Sequence, residues 1–453
     1  MSPPLPRLPR HRRPAGGAAA AAALLGVAWP SFADSSATYS FSAAGQDATD
    51  LQDAFEVLPG DNQTGWLGAD SDVSVVIGGG PGGGPRRVLW LFADTFLARH
   101  DAKTRARIWD GMHMPSSTVA LAACAADKCS GRPTFFWRED AKGAPAPFFE
   151  LPEAQRENGE LLWVVAGIAS RDGSSVLLLA QRVQRPLTVL GSTAIVIHNV
   201  DQVDDPRQWQ YTMSELGDEE MTWFSGVTFA EETGDQVLLF GHEHTGGPHS
   251  FGSRGRKDPE HWSRTLLARA SLSDLLRHDW SAAKYWAEPG RWAPVSRVHG
   301  RRRAQRLDVP TWETTCTWSS ELGLWYVFNV EGHVVAMWTA QQVVGPWSRN
   351  EVYRLPPAFR KTTSDNGAWL CYAAKAHPEM QRKAWEDRAF HGPAEEAGLA
   401  ELVFSWVCNA WGGDAERALL FQPGGLDLSV RGYWPRFVRV AAAVHRPLTI
   451  HVG

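Results

Sequence analysis

Asp70 and Asp72 stand either side of Ser71, directly before the apolar run Val73-Ser-Val-Val-Ile77. Asp94 closes a second run, Val88-Leu-Trp-Leu-Phe-Ala-Asp94, and Glu313 sits between Trp312 and Thr314 at the start of another. Further along, Lys375, His377 and Glu379 alternate in Ala-Ala-Lys-Ala-His-Pro-Glu, and Trp223 and Ser225 open a similar segment. His242 and Glu243 end an apolar run at the place Asp94 occupies in its own. Carboxylates from separated segments, set among tryptophans, are what hydrolysis of a glycosidic bond requires. One acid protonates the leaving oxygen; the other activates water or attacks the anomeric carbon, at a separation of about 5.5 Å for retention and about 6.5–9.5 Å for inversion. Indole faces stack on sugar rings. The expected catalytic groups are therefore Asp70, Asp72 and Glu313. Asp94, Trp223, Trp312, Lys375, His377, Glu379, His242 and Glu243 are expected around the substrate.

Other chemistries fit less well. Gly78-Gly-Gly-Pro-Gly-Gly-Gly-Pro85 lacks the Gly-Lys-Ser/Thr ending of a phosphate loop and precedes a strand-like run, not a helix. His242-Glu-His244 puts two imidazoles on one strand face but specifies no third ligand, so no metal site is assigned there. No Gly-x-Ser-x-Gly elbow is present. No cofactor is implied, although oxygen ligands from scattered loops, as for an axial calcium, leave no spacing to read.

Those residues need a scaffold that gathers distant segments. Five apolar second strands begin at Arg87, Ser175, Gln236, Gly323 and Glu401, and each follows another short β-like run, across a turn signal in the first four and a longer insertion in the last. A third run follows all but the last. Recurrence of this module five times predicts an all-β fold, a five-bladed β-propeller, in preference to paired β-sandwiches or an irregular β-helix. In such a ring the first strands converge on a central funnel. Arg436–His445 or the early Thr38-Tyr-Ser-Phe-Ser-Ala43 would complete the closing blade. A partly helical insertion is expected between Pro378 and Ala400, and Leu272–His278 supplies a helical turn.

Composition sets the environment. The chain has 453 residues, 43% hydrophobic and 21% charged, with 22 Trp against 7 Met. Arg7, Arg10, Arg12 and Arg13 precede an apolar, alanine-rich stretch and Ser31-Phe-Ala33. Residues 1–33 thus read as a secretory signal, and 34–453 as one propeller domain that is secreted or periplasmic. Removal of the four arginines takes the formal charge from −5 to −9, which disfavours nucleic acid as a partner. The cluster Arg297–Arg306 is expected to be a solvated loop. No stretch is long and apolar enough to span a membrane. A polysaccharide or oligosaccharide is the expected partner of a monomer. Cys124 and Cys129 are expected to form a disulfide, and Cys316, Cys371 and Cys408 to be buried thiols.

The segments Gly-Trp-Leu-Gly-Ala-Asp-Ser-Asp-Val-Ser-Val with Leu-Trp-Leu-Phe-Ala-Asp-Thr-Phe, Phe-Ser-Gly-Val-Thr-Phe, and Tyr-Ala-Ala-Lys-Ala-His-Pro-Glu with Pro-Arg-Phe-Val-Arg-Val resemble a family of secreted five-bladed propellers long catalogued as a domain of unknown function. The resemblance runs from about Gly65 to Val440. Related propellers include arabinan-degrading glycosidases, so it implies a glycoside hydrolase acting on a furanose-containing glycan. The alternative is a carbohydrate-binding propeller without catalysis. Residue by residue, it marks Asp70, Asp94, His377 and Glu379. Ala93 departs from the family glycine before Asp94, and the glycine-proline tip is longer than the family hairpin.

Overall fold

The second strands each carry a run of consecutive apolar residues, and the fold shows why. In the computed structural model of the protein, five antiparallel sheets stand face to face around a ring. Each central strand is therefore buried on both sides. The structure describes residues 38–41, 45–60, 63–79, 85–124, 129, 131–185, 188–216, 222–231, 233–243, 249–250, 264–288, 290–294, 304–305, 307–311, 313–360, 369–381, 399–410, 420–427 and 431–445.

From the inside outward, blade 1 consists of strands Val73–Ile77, Arg87–Phe92, Thr118–Ala123 and Thr134–Phe136. Blade 2 consists of Glu160–Ala169, Val176–Gln184, Thr188–Ile197 and Tyr211–Glu215. Blade 3 begins Thr222–Phe229, Gln236–Glu243, Arg264–Ser271, and blade 4 is Cys316–Ser319, Leu324–Glu331, Val334–Ala340 and Ser348–Arg354. Blade 5 runs Trp369–Ala376, Leu399–Ala410, Arg436–His445, and then takes its outer strand, Thr38–Phe41, from the other end of the chain. Both candidates for closing the ring are therefore used, side by side, in register Thr38↔His445 to Phe41↔Ala442.

Alternate residues of each central strand feed the cores on its two sides, as period-two geometry demands. Leu178 joins Leu89 and Leu91 of blade 1, while Leu177 and Leu179 join Val237 and Leu239 of blade 3. Leu238 and Phe240 pack with Trp325 and Val327 of blade 4. Tyr326 and Phe328 share the last core with Phe404 of blade 5 and Trp90 of blade 1, which closes the circle.

The helical turn forms at Leu272–Leu276. Helix Thr49–Phe55, absent from the sequence reading, buries Leu51 and Phe55, one turn apart, in the core between blades 4, 5 and 1. Two helical turns are too short for their periodicity to stand out. The leader, residues 80–84 of the glycine-proline tip, most of the Arg297–Arg306 cluster and most of the insertion after Pro378 lie outside the described residues. Among the described residues no helix is long and apolar enough to cross a membrane.

Cys124 and Cys129 form the expected disulfide, and Cys316 is a buried thiol. Cys371 and Cys408 are not thiols as expected but a second disulfide. They are direct partners across adjacent strands of blade 5, a register the sequence does not display.

Candidate active site

Strand Gly65–Ala69 leads Asp70 to the inner end of blade 1 and pairs with Thr95–Ala98. The backbone N–H of Asp70 donates to the Asp94 carbonyl (3.2 Å), and Ala93 N–H donates to the Asp70 carbonyl (3.1 Å). Two carboxylates distant in sequence are thereby fixed side by side. Ala93 needs no left-handed backbone to replace the family glycine. Gly68 is needed: at φ +128, a β-carbon there would lie 2.0 Å from the Tyr433 carbonyl oxygen. Beneath this crossing the buried Arg107 guanidinium donates to the carbonyls of Leu67 (2.9 Å), Leu420 (2.9 Å) and Gly432 (2.7 Å). It locks the segment of Asp70 to the segment of Tyr433.

Asp70 and Asp72 do not share a strand face, as alternation had suggested. Ser71 (φ +75) and Asp72 (φ +36) are left-handed, so the chain turns between them. Asp70 is half-buried, and its Oδ2 accepts from Tyr372 (2.7 Å) and Tyr433 (3.0 Å). Asp72 is fully buried, and among the described residues no donor reaches either of its oxygens in hydrogen-bonding geometry. The Ser405 hydroxyl and the Lys375 ammonium act on it from nearby. Ser71 Oγ donates to the Val164 carbonyl of blade 2 (2.5 Å).

Lys375 is fully buried and donates to the Val165 carbonyl (2.9 Å). Both carbonyls become available at a bulge in the inner strand of blade 2. A second bulge, in blade 5, contains Ala373 at φ +53 and lies between Tyr372 and Lys375. It re-aims the strand so that Tyr372 meets Asp70 while Lys375 enters the hub.

Glu313 arrives on the connection into blade 4, half-buried, at φ +47. Seven non-glycine residues have positive φ among the described residues, and five of them are Ser71, Asp72, Glu313, Ala373 and Tyr433. Backbone strain is thus concentrated at this cluster, where packing must hold it.

Burial pushes all four carboxyls upward. Asp70 rises to about 6, restrained by the two tyrosine hydroxyls and two backbone bonds. Asp72 rises to about 7, restrained by Ser405 and Lys375. Asp94 rises to about 7 through burial and then Asp70; Trp163 Nε1, donating to Oδ1 at 3.0 Å, and Arg185 oppose this. Glu313 rises highest, to about 8, through burial and then the Asp70 charge, with Lys375 opposing. Burial lowers Lys375 to about 8 against the pull of Glu313, Asp72 and Asp70. Asp70, Asp94 and Glu313 are walled by protein yet keep solvent-accessible surface, as groups lining a recess do.

Residues 59–442 match the family model described as Domain of unknown function (DUF5005). The chain belongs to this family. Among solved structures the DUF5005 chain is similar to a Bacteroides ovatus protein provisionally described as a hydrolase, at 15% identity and TM-score 0.59 over 87% of this chain and 89% of that one. That likeness shows the fold. Looser similarities include a Xanthomonas citri enzyme of glycoside hydrolase family 43 (10% identity, 87% and 93% coverage, TM-score 0.37). Another is a Bacillus subtilis arabinoxylan arabinofuranohydrolase of the same family (12%, 84% and 62%, TM-score 0.37). No curated protein matches the sequence.

The remaining expected residues of the DUF5005 chain divide sharply. His377 is not a substrate contact. It is fully buried, with Nδ1 2.6 Å from Ser74 Oγ and Nε2 2.7 Å from Ser405 Oγ, and burial drives it down to about 3, so it is neutral. Glu379 lies on the same seam, its Oε1 3.8 Å from His377 Nδ1; burial pushes its carboxyl upward, with Ser74 opposing. His242 is also buried, 3.2 Å from Ser225 Oγ, and lowered to about 4. It supports the Thr311 connection that leads to Glu313, since Ser225 Oγ donates to the Thr311 carbonyl (2.9 Å). Trp312 and the side chains of Trp223 and Glu243 lie outside the described residues. Among the described residues, no three His, Cys, Asp or Glu side chains gather to hold a metal ion. Tyr372, Tyr433, Trp163 and Arg107 were missed by the sequence reading. Tyr372 lies in the Tyr-Ala-Ala-Lys motif, where its spacing to Lys375 was a usable signal; nothing local marks the other three.

Proposed function

We propose that this protein is a secreted or periplasmic glycoside hydrolase whose mature domain, residues 34–453, cleaves a furanose-containing polysaccharide at the Asp70–Glu313 recess. The observation that carries the reading is the convergence of Asp70 and Asp94 from blade 1 and Glu313 from the entry to blade 4 in one cluster, each half-buried and each pushed upward by burial, to about 6 for Asp70 and about 8 for Glu313. Two carboxyls whose surroundings push them apart are the working parts of a glycosidase. Glu313 stays protonated at neutral pH because burial, and then the Asp70 charge, penalise its anion more than Lys375 favours it. Its proton passes to the glycosidic oxygen as the carbon–oxygen bond breaks. Asp70, ionised through its tyrosine bonds, takes the proton of an attacking water or attacks the anomeric carbon itself. Asp94 adjoins Asp70 and orients substrate; Asp72 and Lys375, below the recess, set its charge. Two disulfides support an oxidising compartment.

The test is a screen of the mature protein on arabinans, xylans, fructans and galactans, followed by Asp70→Asn and Glu313→Gln on whichever is cleaved. Each should lower kcat by about 10²–10⁴-fold with folding intact. Undiminished activity in both variants rules the assignment out. Glycan binding with no released product leaves the carbohydrate-binding alternative.

A further inference from the structure

Large apolar side chains that remain exposed are few, and they are not scattered. Among the described residues they are Trp109 (48% exposed), Leu370 (43%), Met114 (41%) and Trp318. Met114 and Leu370 lie beside residues of the carboxylate cluster, and Trp109 stands farther out on the same loop as Met114. Met114 and Trp109 lie on the loop that covers strand Thr95–Ala98, immediately after Asp94: Thr95 N–H donates to Pro115 and Leu97 N–H to His113. Leu370 is two residues before Tyr372 on the inner strand of blade 5, so the two share a side of that strand.

Trp109 is also joined to the recess through packed rings. Its indole meets Phe421 edge-on (centroids 4.9 Å), Phe421 meets Phe96 (5.7 Å), and Phe96 meets Tyr433 (4.7 Å), whose hydroxyl donates to Asp70. The loop is a built turn: Met112 N–H donates to the Trp109 carbonyl, Gly111 takes φ +72, and Arg99 donates to the Asp110 carbonyl (3.3 Å). A large indole held half-exposed by a rigid turn loses little freedom on binding, unlike a mobile side chain. A sugar presents C–H bonds on its ring face and hydroxyls at its edge, the complement of an indole face at a wet, polar rim. Exposed apolar surface rimmed by polar groups marks a binding surface.

We propose that Trp109, backed by Phe421 and flanked by Met114, is a distal sugar-stacking subsite for the glycan chain whose scissile bond lies over Asp70 and Glu313. This rests on the hydrolase reading and extends it. The substrate is a polymer that runs from the recess out over blade 1, and residues far from the cleaved bond contribute to its binding. Short oligosaccharides that fill only the recess do not reach Trp109.

The experiment compares Trp109→Ala and Trp109→Phe with wild type on a ladder of arabino- and xylo-oligosaccharides, from dimer to octamer, measuring KM and kcat by product release and Kd by calorimetry. Trp109→Ala should raise KM or Kd about tenfold for the longest members and leave the shortest unchanged, with kcat preserved and Trp109→Phe intermediate. Melting temperatures control for folding. An active wild type with no length-dependent loss in Trp109→Ala overturns the subsite while leaving the hydrolase reading intact. Binding without cleavage, weakened in Trp109→Ala, supports the subsite and removes the hydrolase reading instead. A wild type that neither binds nor cleaves any member overturns both.

Discussion

Asp70 and Glu313 make opposite demands on pH. The first must be ionised, above about 6, and the second protonated, below about 8, so kcat/KM should trace a bell with its maximum near pH 7. A flat profile across that range would contradict the assigned roles. The same shifts have a stability consequence. Glu313 has a folded value raised above its ordinary 4.5, so its protonated form stabilises the fold, and that contribution is lost as pH rises through about 8. Glu313→Gln keeps a neutral group at every pH. Its melting temperature should match that of wild type below about 4.5, and exceed it by a margin that grows as pH rises from 4.5 to about 8 and stays constant above that. Thermal melts of both proteins across that range measure it. At this scale Asp70 and Glu313 were legible as polar residues at strand entrances. Their pairing with Tyr372, Tyr433 and Trp163 was not, because those partners come from other blades.

Between elements, the bulges of blades 2 and 5 and the Lys375 ammonium form one device. The bulge at Val165 offers a carbonyl, and the bulge at Ala373 delivers the lysine to it. The charge faces Glu313, Asp72 and Asp70, and it also helps keep His377 neutral. Lys375→Met should shift the alkaline limb of the pH profile upward, since Glu313 and Asp72 both lose a cation that favours their anions. It should also cost about 3 kcal/mol, because Asp72 is left buried opposite no charge. Lys375→Arg, which keeps the charge, should restore the limb more than the stability. An unmoved limb in the Met variant would show that Lys375 is only a tie between blades. The sequence placed Lys375 beside the substrate as a polar residue of an inner strand. The structure buries it just after a bulge, and a bulge set by Ala373, with no glycine to announce it, leaves no mark in composition.

For the whole molecule, ring closure depends on residues far apart in sequence. Thr38–Phe41 supplies the outer strand of blade 5, Gly45 N–H donates to Val352 of blade 4, and Tyr353 donates to Asp47 (2.7 Å). Deleting residues 38–47 would leave Arg436–His445 as an apolar edge strand. It should lower the melting temperature by at least ~5 °C and broaden the transition, which calorimetry would register. Retention of a sharp, unshifted transition would mean that the blades close the ring without this strand.

The sequence by itself determined the five-fold β repeat, because central strands buried on both faces carry consecutive apolar residues over most of their length. That constraint is local and leaves a continuous signature. It also determined that carboxylates enter at the inner ends of blades 1 and 4. Only the tertiary structure decided that Asp70 and Asp72 part company, that His377 is sealed into a seam while Glu313 lines a recess, and that Cys371 meets Cys408. Each of these depends on left-handed backbone at non-glycine residues, or on which strand lies opposite which. Those are properties of the assembled ring, and no single segment encodes them alone.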